Sequence, residues 1–136
     1  MIDVENEVVD RVKKSLVEKF SGIYVTSEQG KAPSRFPAAS VVMISNPTYE
    51  QTLTLGKATE NHAAPVFQLD CYSNKTEGRK TECKAVMNAA DETMQKMGFT
   101  RFYGPEPTPN MLDATVYRQT ARYRGVVSEN KEIYRR

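Results

Sequence analysis

The stretch from Ala114 to Val127, ATVYRQTARYRGVV, constrains the fold more than any other part of this chain. It alternates. Tyr117, Gln119, Ala121 and Tyr123 share one face of an extended chain, and Val116, Arg118, Thr120, Arg122 and Arg124 share the other. Period two marks a β-strand, because successive side chains point to opposite faces. At roughly 3.3 Å per residue the run would exceed about 40 Å, whereas strands are usually about five or six residues long. A small domain has no core of that length, so the strand is expected to outrun its own sheet and meet another subunit. Arg118, Arg122 and Arg124 form either a solvated face or a subunit interface or lumen wall, since arginine is enriched at protein contacts and at phosphate-facing surfaces. Tyr117 and Tyr123 suit either the core or an interface.

The length of 136 residues predicts a single domain, 1–136, large enough to bury a core without a metal or disulfide. A net charge of +2 is too small to argue for a nucleic-acid partner. Cys71 and Cys83 lack CxxC spacing and are expected to be reduced, packed thiols of an intracellular protein. No apolar run approaches the roughly 20 residues of a membrane span. The acidic, amphipathic N-terminus does not read as a signal peptide.

Val8, Val9, Val12, Leu16 and Phe20 recur at helical spacing and predict a helix over about 3–20, with Asp3 as N-cap and Gly22 just beyond its end. Gly22 to Thr26 is a short β-prone run followed by a loop. Phe36 to Ser45 predicts a strand whose apolar run, Val41 to Ile44, implies burial on both faces. Thr48 to Ala64 has no clear period and is expected to be a protruding hairpin or arm carrying Leu53, Leu55, Glu60 and His62. Val66 to Ser73 alternates as a strand, which turns Asp70 away from Phe67 and Leu69 toward solvent or an interface. Cys83, Val86, Met87, Ala90, Met94 and Met97 form the stripe of a second helix over 79–97, closed by Gly98. Phe99 to Tyr103 is a short strand, Gly104 to Asn110 a proline-rich connection, and the last residues a short strand after a turn. The order predicts an α+β domain of two layers, with both helices on one face of a mainly antiparallel sheet.

Signals of chemistry are sparse. His62 is the single histidine and lies beside Glu60, but one histidine makes no ligand set. Cys71 and His62 could form a nucleophile and base, yet no spacing supports it. The phosphate-binding and nucleophile-elbow glycine motifs are missing. No catalytic residue, cofactor or metal is expected.

Several short motifs carry a resemblance. They are Tyr72-Ser73-Asn74 at a strand end, Met97-Gly98-Phe99 at a helix end, Arg122-Tyr123-Arg124, Ile133-Tyr134, and the run Glu60 to Ala63 ahead of the central strand. Together, over about 60–136, they resemble the tail terminator and head–tail joining proteins of long-tailed bacteriophages, also described as minor capsid or tail completion proteins. The resemblance implies a structural virion subunit, not an enzyme, assembled in the host bacterial cytoplasm and located in the tail or neck. It implies a hexameric ring that caps the tail tube protein, meets the head connector or stopper protein, and leaves a lumen for genomic DNA without sequence-specific binding or any membrane. Another neck or tail protein, such as a head-completion or tail tube subunit, is the alternative. A small ligand-binding or enzymatic domain using Glu60, His62 and Cys71, or a nucleic-acid-binding module using the C-terminal arginines, belongs to different classes.

Overall fold

The computed structural model describes residues 1–28, 33, 35–47, 62–108, 115–128 and 133–134. Two helices and two sheets make up this part of the chain. The larger sheet has five strands in the order β1-β2-β4-β6-β5, and the smaller has three in the order β3-β7-β8. The elements run α1 (Glu5–Lys19), β1 (Tyr24–Thr26), β2 (Ala38–Ser45), β3 (His62–Ala63), β4 (Val66–Ser73), α2 (Arg79–Met97), β5 (Thr100–Pro107), β6 (Tyr117–Arg124), β7 (Val126–Ser128) and β8 (Ile133–Tyr134). β1 pairs parallel to β2, and every other strand pair is antiparallel. The fold is therefore the expected α+β arrangement, with helices laid on a mainly antiparallel sheet.

The register explains which residues face the helices. Ala39, Val41 and Met43 of β2 stand opposite Cys71, Leu69 and Phe67 of β4, which stand opposite Gln119, Ala121 and Tyr123 of β6. Against this face lie Val8, Val12 and Leu16 of α1 and Cys83, Val86, Met87, Ala90 and Met94 of α2, all buried. Phe67 meets Phe99 edge to face at 5.3 Å. A hydroxyl bond from Thr93 to Ser15 (2.9 Å) ties α2 to α1, and the Met43 N–H donates to Glu5 Oε2 (2.8 Å), tying α1 to β2.

The end of α2 follows its sequence signal, whereas α1 starts two residues later than expected, at Glu5. Asp3 Oδ1 accepts from the Glu5 N–H at 2.9 Å, which supplies one of the free donors at the start of α1, although Val4 occupies the cap position itself. α2 ends on Gly98, whose N–H returns to the carbonyls of the last turn.

Four expectations are corrected. The long strand from Ala114 to Val127 does not exist as one element: β6 stops at Arg124, and after Gly125 the chain joins the smaller sheet as β7. A Cβ at Gly125 would sit 2.8 Å from the Phe99 ring, so the chain leaves the sheet where only glycine fits against that ring. β5 runs on through Gly104 and Pro105 to Pro107, with two register shifts, where the sequence suggested a proline-rich connection. β2 is buried only in its first half, and Ile44 is exposed. His62 lies in β3, opposite Ser128 of β7, and is half-buried, not in a protruding loop. The rest of the expected excursion, including Leu53, Leu55 and Glu60, lies outside the described residues.

Candidate functional site

The helices occupy one side of the five-stranded sheet, so the other side is where β2, β4, β6 and β5 present the alternate residues. Ser40, Asp70, Thr120 and Glu106 make one row across four strands. Val42, Gln68, Arg122 and Tyr103 make the next, and Ala38, Tyr72 and Arg118 flank the first on its other side.

Asp70 is the centre of this face. The sequence suggested an exposed or interface carboxylate, and the correction is that only 2% of it is accessible. It does point away from the helices, but three donors close over it. Arg118 reaches Oδ1 through Nε (3.0 Å) and Nη2 (2.9 Å), Gln68 donates to Oδ2 at 2.9 Å, and the Thr120 hydroxyl donates to Oδ1. Thr108 in turn donates to Thr120 at 2.7 Å. A carboxylate removed from water is tolerated only when paired and hydrogen-bonded in this way.

Three arginines lie over aromatic rings on the same face. The guanidinium carbon of Arg118 lies 5.5 Å from the centroid of Tyr72, that of Arg122 5.0 Å from Tyr103 and that of Arg124 5.4 Å from Phe102, all within cation–π range. The register shift between Arg101 and Tyr103 is what allows two consecutive residues, Phe102 and Tyr103, both to lie under arginines of β6. Arg122 also donates to Gln68 Oε1 at 3.2 Å. Among the described residues no carboxylate pairs with Arg122 or Arg124. Phe102 and Tyr103 remain 46% and 37% exposed. Tyr72 feels both its burial and the Asp70 charge, which together push its hydroxyl up to about 12 against the opposing pull of Arg118.

The expected site residues separate cleanly by face. Arg118, Arg122 and Arg124 come together on the bare side. Tyr117 and Tyr123 do not join them: Tyr117 packs against the core and Tyr123 is fully buried, its hydroxyl donating to Asp91 of α2. Burial, followed by that bond, raises the Tyr123 hydroxyl well above its ordinary value. The sequence missed Tyr72, Phe102 and Tyr103 as partners of the arginines. Alternation alone could have placed Tyr72, whereas the bulge at Phe102 left no periodic signal.

Cys71 and Cys83 are buried free thiols on the helix side, with the Cys83 thiol donating to the Cys71 carbonyl at 3.1 Å. Among the described residues no group of three histidine, cysteine or acidic side chains could hold a metal ion, and no helix is long and apolar enough to cross a membrane. Chemically, the bare face offers fixed guanidinium donors over apolar rings, which suits recognition of carboxylates or other anions. The chain matches no protein-family model, and no curated protein matches it.

Proposed function

We propose that this chain is a structural ring subunit of a long-tailed bacteriophage, a tail terminator whose hexamer caps the tail tube and meets the head connector while leaving a lumen for DNA. The observation that carries the reading is the sheet face that no helix covers among the described residues, where Arg122 and Arg124 lie over the exposed rings of Tyr103 and Phe102. Such a surface, rich in arginine and aromatic side chains, has the composition of a protein contact. The motif resemblance over the C-terminal half supplies the particular setting. A closed ring needs a repeated contact between unlike patches, and a two-layer domain with dissimilar sides provides two.

Electron microscopy of the purified protein, alone and with polymerising tail tube protein, tests this. The expected result is a six-fold ring with an open centre that sits on tube ends and halts their growth. A chain that stays monomeric both alone and with tubes, or one that itself extends into long tubes, overturns the assignment.

A further inference from the structure

We infer that the open edge of β5 over residues 100–103 accepts an added strand from a neighbouring protein chain, an extended segment whose alternate residues are aspartate or glutamate. From the reading above the inference takes only that this side of the sheet is a protein contact. It names the chemistry of the segment that makes that contact.

β5 is the last strand of the five-stranded sheet, and among the described residues only β6 pairs with it. The outward backbone groups of such an edge are a template for another strand. The two halves of this edge differ. Pro105 and Pro107 have no N–H to give, and the φ of +74° at Gly104 leaves the extended path. That half cannot continue a ladder. The half before it, 100–103, has no proline, and Arg101, Phe102 and Tyr103 are exposed there.

Arg101 is held toward the helices by Asp91 of α2 at 2.7 Å, so the charge beside the edge on the bare side comes from β6. The guanidinium carbons of Arg122 and Arg124 lie 5.0 and 5.4 Å from the ring centroids of Tyr103 and Phe102. Both side chains therefore reach from β6 across to β5, a step of about 4.8 Å toward the edge. A strand added to β5 stands one such step further out. Its residues on the bare side meet two cations that pair with no carboxylate among the described residues. Side chains on one side of a strand recur at every second residue, so the matching segment carries its carboxylates at alternate positions. Charges along an edge ordinarily deter pairing. Here they deter cationic strands and favour acidic ones. The added strand also covers Phe102 and Tyr103, removing exposed apolar surface from water.

Single-stranded nucleic acid is the competing occupant of a face with arginines and rings. It binds by stacking its bases on open ring faces. The faces of Tyr103 and Phe102 on this side already carry guanidiniums, and a nucleic acid has no strand to add to the edge.

Two fluorescein-labelled peptides test the inference, one alternating glutamate with valine and the other lysine with valine. Fluorescence anisotropy should show the wild-type chain binding the glutamate peptide at least about tenfold more tightly. Hydrogen exchange should slow at 100–103 when that peptide is present and stay unchanged beyond Gly104. Arg122→Glu with Arg124→Glu should reverse the preference. If that variant loses its circular-dichroism signal, Arg122→Gln with Arg124→Gln replaces it, and an undiminished preference for the glutamate peptide overturns the inference. Equal affinity for the two peptides, protection that falls elsewhere, or no binding by a chain whose 100–103 amides exchange freely also overturns it. Wild-type rings that protect 100–103 before any peptide is added, and lose that protection in the arginine variant, support the inference and identify a neighbouring copy as the source of the segment. Tighter binding of a labelled thymidine oligonucleotide, lost in the arginine variant, assigns the face to nucleic acid and overturns it. A monomeric wild type that binds the glutamate peptide at 100–103 removes the ring assignment and leaves the inference standing. Rings whose 100–103 amides stay unprotected with and without the peptide do the reverse.

Discussion

Asp70 concentrates the cost of the bare face in one side chain. Replacing it with alanine leaves Arg118 without its carboxylate while the guanidinium side chain is still only 24% exposed. Asp70→Ala should lower stability by roughly 3 kcal/mol, the low end for removing one partner of a buried ion pair. Urea melts measure this, and a loss under about 0.5 kcal/mol would place the pair among surface ion pairs. The alternation of β4 was enough to assign Asp70 to the correct face. Its burial was not legible, because apart from Gln68 the groups that close over it, Arg118 and Thr120 of β6 with Thr108 behind them, lie far away in sequence. The cysteines give a second prediction at this scale. Burial holds the Cys71 thiol well above its ordinary 9.0 and the Cys83 thiol up at about 12. Once the pH passes about 9, the unfolded chain releases these protons before the folded chain does, so stability falls from there until the folded thiols ionise, near 12 for Cys83. Below about 9 both states keep the protons, and these groups add no slope. Thermal melts between neutral and alkaline pH should show this decline, reduced in a Cys71→Ala, Cys83→Ala variant. Native alkylation should be slow for both thiols, and rapid labelling of the folded protein would contradict their burial.

Among the elements, the helices were the most legible and β5 the least. The stripe of α2 is continuous in sequence, so Cys83, Val86, Met87, Ala90, Met94 and Met97 identified both its span and its buried side. β5 breaks its period twice and contains Gly104, Pro105 and Pro107, residues that ordinarily end a strand. It survives because among the described residues it is an edge strand, paired with β6 on one side alone. Gly104 shows how closely the two strands approach. Its φ is +74°, and a Cβ there would collide with the carbonyl of Thr120 and come within 2.9 Å of the Glu106 nitrogen. Gly104→Ala should therefore cost more than the roughly 1 kcal/mol of an ordinary backbone penalty, because strand backbone must separate. It should also detach Tyr103 and Phe102 from Arg122 and Arg124. Hydrogen exchange along 100–107 and 117–124 measures the effect, and unchanged protection would show that the bulge tolerates a side chain. The supposed long strand failed for the opposite reason. Its alternation was real, but the Phe99 ring that requires glycine at position 125 belongs to another part of the sequence.

At the scale of the whole molecule, the two sides of the domain differ in what they need from outside. The helix side satisfies its own apolar stripe by packing onto the sheet. The opposite side has no such layer among the described residues, and there Arg122 and Arg124 lie over aromatic rings and, unlike Arg118, pair with no carboxylate among the described residues. If neighbouring copies supply the missing carboxylates, assembly and folding should respond differently to salt. Screening lengths fall from about 10 Å at about 0.1 M to about 3 Å at about 1 M. An ion-paired contact near the surface weakens over that range, whereas the buried core does not. The proposed rings should therefore dissociate toward monomers as salt rises, while far-UV circular dichroism and thermal melts of the monomer stay constant or improve. Sedimentation velocity across the salt series measures the first, and the melts measure the second. Rings whose mass is indifferent to salt would mean that Phe102 and Tyr103, not the arginines, carry the contact, since apolar burial is strengthened, not screened, by excluded salts. Arg122 and Arg124 would then be free for the lumen, and their charge reversal should leave ring mass intact while slowing the passage of DNA through assembled particles.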